Sequence, residues 1–508
     1  MIKPKFKPSL QQQVFFDWVI NGTGSCVLEA VAGSGKTTTL LEALKLMSGK
    51  IFFGAFNKMI AEEIAARAGM KNGLSVSTMH AAGMRAWGKA AKVRVDADKC
   101  RNLFRDMTFR QMDYGMLEGP VLQLVSYAKQ AAVGILEDKQ AKDDATWMTL
   151  INHFNVECFD EQRGKDNTVS IIMLAKQLFE RSIQLDTKII DFDDMIFAPL
   201  YHGVTFDKFD WVLLDEAQDT NATRRLLALA MLKKGGRLVA VGDRHQAIYG
   251  FTGADADALD LIAAEVELLG GCTRLPLTIT YRCPKEVVKH SQQWVSHIQA
   301  ADTAPDGIVR SAMIEDLHAE VKVGDAILCR FNAPLIKNVY ALIAKGIPAR
   351  VEGREIGAGL KVLANRWKVK DLDALLTKLE EFHDREVENF MRKEQPKRAQ
   401  DVTDKVECLR VIIARVLANG TVTKPPQKAI CDEIDSIFGG DEKKPVVLLS
   451  SIHKSKGREW KKVVWLVTGP SPFAKLPWEV AQEDNLCYVA ATRTMHELVL
   501  IEIKAVQK

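Results

Sequence analysis

Cysteine is scarce in this chain and never closely paired. Nine occur in 508 residues, and no two are spaced as CxxC. That excludes a zinc knuckle, an iron–sulfur cluster held by such pairs, and a disulfide framework, and it predicts a reducing, cytoplasmic-type setting. Long apolar runs are missing too: none approaches the ~18 residues a membrane-crossing helix needs, so no membrane partner is expected. The charged start Met1-Ile2-Lys3-Pro4-Lys5-Phe6-Lys7-Pro8 leads into no apolar stretch, which excludes a secretory signal. Strong net charge is also lacking. A balance of +4 permits a nucleic-acid partner but requires its binding surface to be local rather than global. Short repeats and low-complexity tracts are absent.

What is present is the composition of a globular protein, 47% hydrophobic and 26% charged, in a chain long enough for roughly three to four domains. Short apolar runs bounded by turn residues recur: Ile51–Phe53, Trp211–Leu214, Leu238–Val241, Ala326–Cys329, Val446–Leu449, Val463–Val467 and Leu498–Ile501. They do not alternate polar with apolar, so they predict parallel strands buried on both faces. One group ends before about residue 245 and the other begins after about residue 325, which predicts two α/β sheets. Two helical sections interrupt them. Val121, Leu124, Val125 and Ala128 share one helix face in the first, and Leu372, Leu375, Leu376 and Leu379 form a similar stripe in the second. Both stripes are read as core packing, and each section as a subdomain inserted into an α/β domain.

Ala30-Val31-Ala32-Gly33-Ser34-Gly35-Lys36-Thr37 follows the apolar run Cys26-Val27-Leu28 and opens into Thr38-Thr39-Leu40-Leu41-Glu42-Ala43-Leu44. Strand, glycine-rich turn and helix N-terminus together make a phosphate-binding P-loop. Ala30 stands at the usual first glycine. Ala32, Gly33, Ser34 and Gly35 cradle the polyphosphate with backbone N–H groups, Lys36 reaches the β- and γ-phosphates, and Thr37 offers a hydroxyl to Mg²⁺. Asp215-Glu216-Ala217-Gln218-Asp219 directly follows the strand Trp211–Leu214. Asp215 is placed to hold Mg²⁺ through water. Glu216, a second carboxylate beside it, supplies a general base, so the expected chemistry is hydrolysis of a nucleoside triphosphate.

At this point the chain resembles the superfamily 1 DNA helicases of the UvrD/Rep type. Beyond the P-loop and Asp215–Asp219, the ordered matches run through Val241-Gly242-Asp243-Arg244-His245-Gln246-Ala247-Ile248-Tyr249-Gly250-Phe251, Tyr281-Arg282, Ser451-Ile452-His453-Lys454-Ser455-Lys456-Gly457-Arg458-Glu459-Trp460 and Leu486-Cys487-Tyr488-Val489-Ala490-Ala491-Thr492-Arg493. The resemblance implies two RecA-like P-loop domains with parallel sheets, each carrying a helical insertion, with ATP between them and single-stranded DNA across the top. The expected boundaries are 1–90 with 191–275 for the first domain and 91–190 for its insertion. For the second they are 276–367 with 439–508, and 368–438 for a shorter insertion.

The resemblance also implies residue roles. Gln12 reads the adenine edge, with its register open by one position in Gln11-Gln12-Gln13; Tyr281 stacks on the base; Glu459 binds the ribose, and Gly457 near it is a further nucleotide-binding residue. Arg282 and Arg493 resemble arginine fingers, and Gln246 resembles the sensor of the γ-phosphate. Phe56-Asn57-Lys58 and Thr78 with His80 resemble two strand-contacting motifs. Tyr249 and Phe251 resemble the aromatic pair on which bases stack, the competing reading being core aromatics under the sheet. Arg330, Asn332 and His453 resemble further strand contacts. Thr38 stands where such proteins usually carry an arginine flanking the adenine, Thr252 where an arginine commonly follows the aromatic, and Ser451 where threonine is usual. Asn57-Lys58 and Asp484-Asn485-Leu486 are similar to the F-box DNA helicase subgroup, although no F-box is expected before residue 9 and no nuclease after Lys508.

The expected activity is therefore ATP-dependent, Mg²⁺-requiring translocation on single-stranded DNA with unwinding at single/double-strand junctions. The 3′→5′ polarity is implied by the resemblance alone. Two other readings stay open: a DNA-stimulated translocase that strips proteins from single strands, and a non-catalytic ATP-gated DNA-binding module.

Overall fold

The computed structural model of the chain describes residues 6–55, 57–69, 71–90, 92–108, 117–137, 141–154, 156, 158–160, 165–184, 188–248, 257–392, 396–420, 425–438, 445–469 and 477–503. The chain divides into two units, Met1–Thr278 and Ile279–Lys508. Among the described residues no helix is long and apolar enough to cross a membrane.

In the first unit α1 (Leu10–Asn21) begins at a capping box. The Ser9 hydroxyl accepts the Gln12 N–H, and the Gln12 side chain accepts the Ser9 N–H in return. There follow β1 (Ser25–Ala30), α2 (Lys36–Leu44), β2 (Ile51–Ala55), α3 (Lys58–Ala68), β3 (Leu74–Thr78) and α4 (Met79–Ala90). Four further helices come next: α5 (Lys99–Thr108), α6 (Glu118–Gln130), α7 (Asp144–Phe154) and α8 (Thr168–Ser182). The chain then returns through α9 (Asp194–Tyr201), β4 (Phe209–Leu214), α10 (Ala222–Ala230), β5 (Leu232–Gly242), α11 (Ala258–Gly270) and β6 (Cys272–Leu277). The six strands form one parallel sheet in the order β6-β1-β5-β4-β2-β3.

Alternate residues of each inner strand feed opposite layers, as the two-residue period of a strand requires. Leu28, Phe53, Leu213 and Val239 pack with Phe15, Trp18 and Leu40 on one face. Val27, Phe52, Val212 and Leu238 pack with Leu259 and Ile262 on the other. Burial on both faces is why these strands read as unbroken apolar runs.

The second unit holds a second parallel sheet of β7 (Ile308–Ser311), β8 (Ala326–Cys329), β9 (Ala349–Val351), β10 (Val447–Ser451), β11 (Trp460–Val467) and β12 (Thr494–Glu502). Its order is β7-β12-β11-β8-β10-β9. The apolar runs of the sequence correspond to β1, β2, β4, β5, β8, β10, β11 and β12, which are the interior strands of the two sheets. The four they do not reveal, β3, β6, β7 and β9, are the edges. Edge strands are half-wet: Leu74-Ser75-Val76-Ser77-Thr78 mixes polar with apolar, and Cys272-Thr273-Arg274-Leu275-Pro276-Leu277 contains a proline that only an edge tolerates.

The two helical sections differ in how they are held. Helices α5 to α8 build an apolar cluster of their own around Phe104, Leu124, Trp147, Leu178 and Phe179, joined by Phe197 of α9. A two-residue parallel ribbon, Arg94–Val95 with Ile189–Ile190, pairs the chain where it enters and leaves this section. In the second section, Leu372–Arg392, Pro396–Ala418 and Gln427–Phe438 share one continuous core with the second sheet. Leu375, Leu379, Ile412 and Ile434 belong to the same cluster as Ile327, Leu449 and Val464.

Candidate nucleotide site and strand-facing residues

The P-loop lies between the C-terminal end of β1 and the start of α2. Gly33 and Gly35 take positive φ of 71° and 78°, a conformation that glycine adopts without the steric cost a Cβ brings. Gly35 is the N-cap of α2, so the loop's N–H groups and the positive end of the helix face one spot. The Ser34 hydroxyl is buried there with no hydrogen-bond partner among the described residues. A buried hydroxyl left unsatisfied is costly, and a phosphate oxygen would satisfy it.

Lys36 and Thr37 each meet one of the paired carboxylates at the end of β4. Lys36 Nζ lies 3.2 Å from Glu216 Oε2, and the Thr37 hydroxyl donates to Asp215 Oδ2 at 2.7 Å. Burial opposes the Lys36 ammonium, but the carboxylates of Glu216, Asp243 and Asp215 outweigh it and hold its pKa above the ordinary lysine value. Burial, and then the neighbouring Glu216 charge, push the Asp215 carboxyl up to about 6. Thr37 and Asp215 together are hard oxygen donors of the kind Mg²⁺ takes alongside phosphates and water. Glu216 itself has φ 53° and ψ 42°, the left-handed region a non-glycine residue enters only when its surroundings compel it.

From Glu216 a run of hydrogen bonds crosses the top of the sheet. Gln218 Nε2 donates to Glu216 Oε2 at 2.6 Å, and the Asp243 N–H donates to Gln218 Oε1 at 3.0 Å. The buried Gln246 then donates from Nε2 to Asp243 Oδ2 at 2.7 Å. Gln218 and Asp243 had no role in the sequence reading, although both lie inside the motifs that carried it. The only hint was position, Gln218 two residues after Glu216 and Asp243 three before Gln246.

Gln12 is 2% exposed; its amide donates to Thr39 Oγ1 at 2.8 Å. The neighbouring Gln11 bonds Thr278 through both ends of its amide, at 2.8 Å each. Thr38 accepts from Arg67 Nη2 at 3.0 Å.

In the second unit Tyr281 is half exposed, and Arg282 pairs with Glu459 through Nε and reaches the Thr492 carbonyl. Arg493 is buried, its guanidinium donating to the carbonyls of Val489 and Arg458. Gly457 has φ 82° at the turn leading to Glu459.

The residues expected to meet a strand are dispersed. Asn57 is the N-cap of α3, its side chain accepting the Ile60 N–H at 2.8 Å, and Lys58 beside it stands out in solvent. Thr78 ends β3 and caps α4 by accepting the Ala81 N–H at 3.2 Å. His80 is half-buried on the first turn of α4, and burial, then the charge of Arg224, press its pKa down to about 4. Arg330 forms a two-pronged pair with Glu483, at 2.9 to 3.2 Å. Asn332 donates from its side chain at 2.8 Å to Asp404, which also accepts the Asn332 and Ala333 N–H groups. Those two polar groups are thus used inside the unit. His453 is half-buried in the short helix Ile452–Ser455. Phe56, Tyr249, Phe251 and Thr252 lie outside the described residues.

Comparison with known proteins returns the same chemistry. Residues 15–267 match the model of the UvrD/REP helicase N-terminal domain, and residues 361–505 that of the UvrD-like helicase C-terminal domain. F-box DNA helicase protein 1 of Schizosaccharomyces pombe is 28% identical over 300 residues, covering 55% of this chain and 32% of that protein. ATP-dependent DNA helicase Rep of Escherichia coli is 25% identical over 378 residues, 67% of this chain and 52% of its own length. ATP-dependent DNA helicase PcrA of Staphylococcus epidermidis reaches 30% over 116 residues, 21% of this chain and 16% of its own. The aligned parts span between a sixth and about half of these relatives.

Proposed function

The chain belongs to the UvrD/Rep superfamily 1 helicases, and from that premise we propose that it hydrolyses ATP to move along single-stranded DNA, 3′→5′, and to open duplex at junctions. The observation that carries this reading is the hydrogen-bonded run from Lys36 through Glu216, Gln218 and Asp243 to Gln246. Its first member is placed for the phosphates. Its last lies three residues before the Tyr249–Phe251 segment that the resemblance assigns to base stacking. A pure nucleotide-gated clamp has no need of a general base, whereas a motor must tie the hydrolytic carboxylate to the strand.

In this reading Lys36 neutralises the β- and γ-phosphates, and the N–H groups of 32–35 with the Ser34 hydroxyl hold their oxygens. Thr37 and Asp215 hold Mg²⁺, which supplies charge neutralisation of the phosphates. Glu216 orients the attacking water and takes its proton. Arg282 and Arg493 add positive charge as the transferred phosphoryl group becomes more negative. Lys58, Thr78 and His80 meet the strand's backbone.

A second reading, a translocase that clears proteins from single strands and separates duplex poorly, is favoured by one observation. The second helical section is built into the core of its sheet and so does not form a separate body to engage duplex. One experiment tests both: steady-state ATPase with and without oligo(dT), beside unwinding of duplexes with a 3′ or a 5′ tail. Stimulation with 3′-tailed unwinding supports the first reading, and stimulation without unwinding supports the second. An ATPase indifferent to DNA defeats both.

A further inference from the structure

Two small open cavities adjoin in the first unit, one of them at the C-terminal ends of β2 and β4, and share His80 and Arg224 in their walls. One extends to Asp215, Glu216, Asp219 and Thr220, the other to Lys129, Gln130, Asp193, Asn221 and Thr223. We propose that Arg224 and His80 form a phosphate-binding notch, which ties an anion held there to the segment that positions Glu216. The proposal rests on the DNA-motor reading above for its role. Its ligand chemistry, a phosphate group, is common to a DNA backbone and to the inorganic phosphate that hydrolysis releases.

Three observations support it. Arg224 carries five N–H donors, and among the described residues the guanidinium uses one of them, to the Asp219 carbonyl at 3.2 Å. Facing it is an imidazole whose ring makes no hydrogen bond among the described residues, so a guanidinium with spare donors and an unengaged imidazole line the same open space. Arg224 also lies in the first turn of the nine-residue helix α10, whose N-cap Asn221 lines the same cavity, where the helix dipole favours an anion.

The acids around the cavities are largely engaged elsewhere. Asp215 accepts from Thr37 and from the Glu216 N–H. Glu216 pairs with Lys36 and Gln218, and Asp193 accepts from Ser126 and Gln130. Burial, and then Asp191, raise the Asp193 pKa. Asp219 faces Arg224 and partly offsets its charge, while Lys129 is held by Asp191 and Asp194. The groups facing His80 are thus Arg224 from α10, Asp219 from the turn before it, Asp215 and Glu216 from the end of β4, Asp193 from the start of α9, and Lys129 from α6.

The link to hydrolysis is short. Arg224 holds the Asp219 carbonyl at the end of the turn Ala217–Asp219, which also carries Gln218, the donor to Glu216. An anion that draws the guanidinium toward itself pulls on that turn.

The test uses the full chain with Arg224→Gln, Arg224→Lys and His80→Asn, each checked for wild-type melting. Oligo(dT) affinity is read by anisotropy across a salt series. Arg224→Gln should weaken binding on the order of tenfold and lower the log K against log salt slope by about 0.7, the single-strand value for one phosphate contact, and Arg224→Lys should recover most of both. His80→Asn should weaken oligo(dT) binding in the same direction. In a second arm inorganic phosphate alone is titrated as an inhibitor of the DNA-free ATPase. Weaker inhibition in Arg224→Gln with an unchanged oligo(dT) slope would assign the notch to the released product. Unchanged behaviour in both arms overturns it. A wild-type chain that binds no oligo(dT) defeats the motor reading, and the phosphate arm then decides the notch by itself.

Discussion

Lys36 and Glu216 form a pair in which each has a separate task, and substitution should pull the tasks apart. Lys36→Ala removes the ammonium that the proposed mechanism sets against the β- and γ-phosphates, so ATP turnover should vanish. A steady-state assay showing near-normal turnover would contradict the phosphate site. Glu216→Gln keeps the shape and an acceptor for Lys36 and Gln218 but cannot take a proton. Turnover should fall by ~10²-fold or more while nucleotide binding, read with a fluorescent analogue, stays within about twofold. Equal losses in both would make Glu216 a scaffold residue. Gln218→Ala removes the hydrogen bond that orients the Glu216 carboxylate. Here kcat should drop by about tenfold with KM for ATP little changed, the pattern of a positioning residue whose loss lets the base wander. A change confined to KM would count against that role. These motif residues were legible in the sequence because phosphate chemistry demands particular residue types at fixed spacing. Gln218 and Asp243 were not, because their importance is a matter of which atoms meet.

The helical sections answer to the same core physics in different ways. Trp147 is fully buried in a cluster belonging to α5–α8 and α9, whereas Ile412 is fully buried in a cluster shared with the second sheet. Trp147→Ala should cost about 3–5 kcal/mol and Ile412→Ala about 2–5 kcal/mol. Hydrogen exchange should separate them: Trp147→Ala should speed exchange in 99–182 and spare β1, β4 and β5, while Ile412→Ala should speed exchange in both its own helix and β8 and β11. Exchange confined to residues 372–438 in the second variant would show that section to be independent after all. The heptad-like stripes in the sequence announced both sections as helices, but amphipathic spacing says only that a face is buried and never against what. The edge strands show the converse. β3, β6, β7 and β9 carry too few apolar residues in a row for their sequence to declare them, and it is pairing with an already formed neighbour that makes them strands.

Each unit carries its own sheet and core, so charge networks within one unit should affect that unit's melting. In the second, Arg310 and Lys462 meet Glu320 and Glu497, binding the edge strand β7 to β12 and β11. Hydrogen bonding to Arg310 draws the Glu320 carboxyl down to about 2. A carboxyl whose pKa is lower folded than unfolded adds stability above its unfolded value, near 4.5, and loses it as pH falls through about 2. Glu320→Gln should therefore lower the melting temperature of one transition by a few degrees at pH 7, for up to about 1 kcal/mol in a partly solvated network, and converge with wild type toward pH 2. Calorimetry from pH 7 to pH 2 checks this, and a constant offset across that range would mean the effect is not electrostatic.

By itself the sequence determined the family and the interior of the fold. A lysine and threonine after a glycine turn, an acid pair after a buried strand, and apolar runs bounded by turns are local patterns, and local patterns survive in one dimension. The tertiary structure decided the rest: that Glu216 and Gln246 are joined through Gln218 and Asp243, that Arg330 and Asn332 are occupied by Glu483 and Asp404, that one helical section has its own core while the other lacks one, and that Arg224 faces His80. Each of these is a contact between residues far apart along the chain or a choice among partners of equal chemical merit. Hydrogen-bond and packing energies depend on distance and angle, which no spacing along the chain specifies.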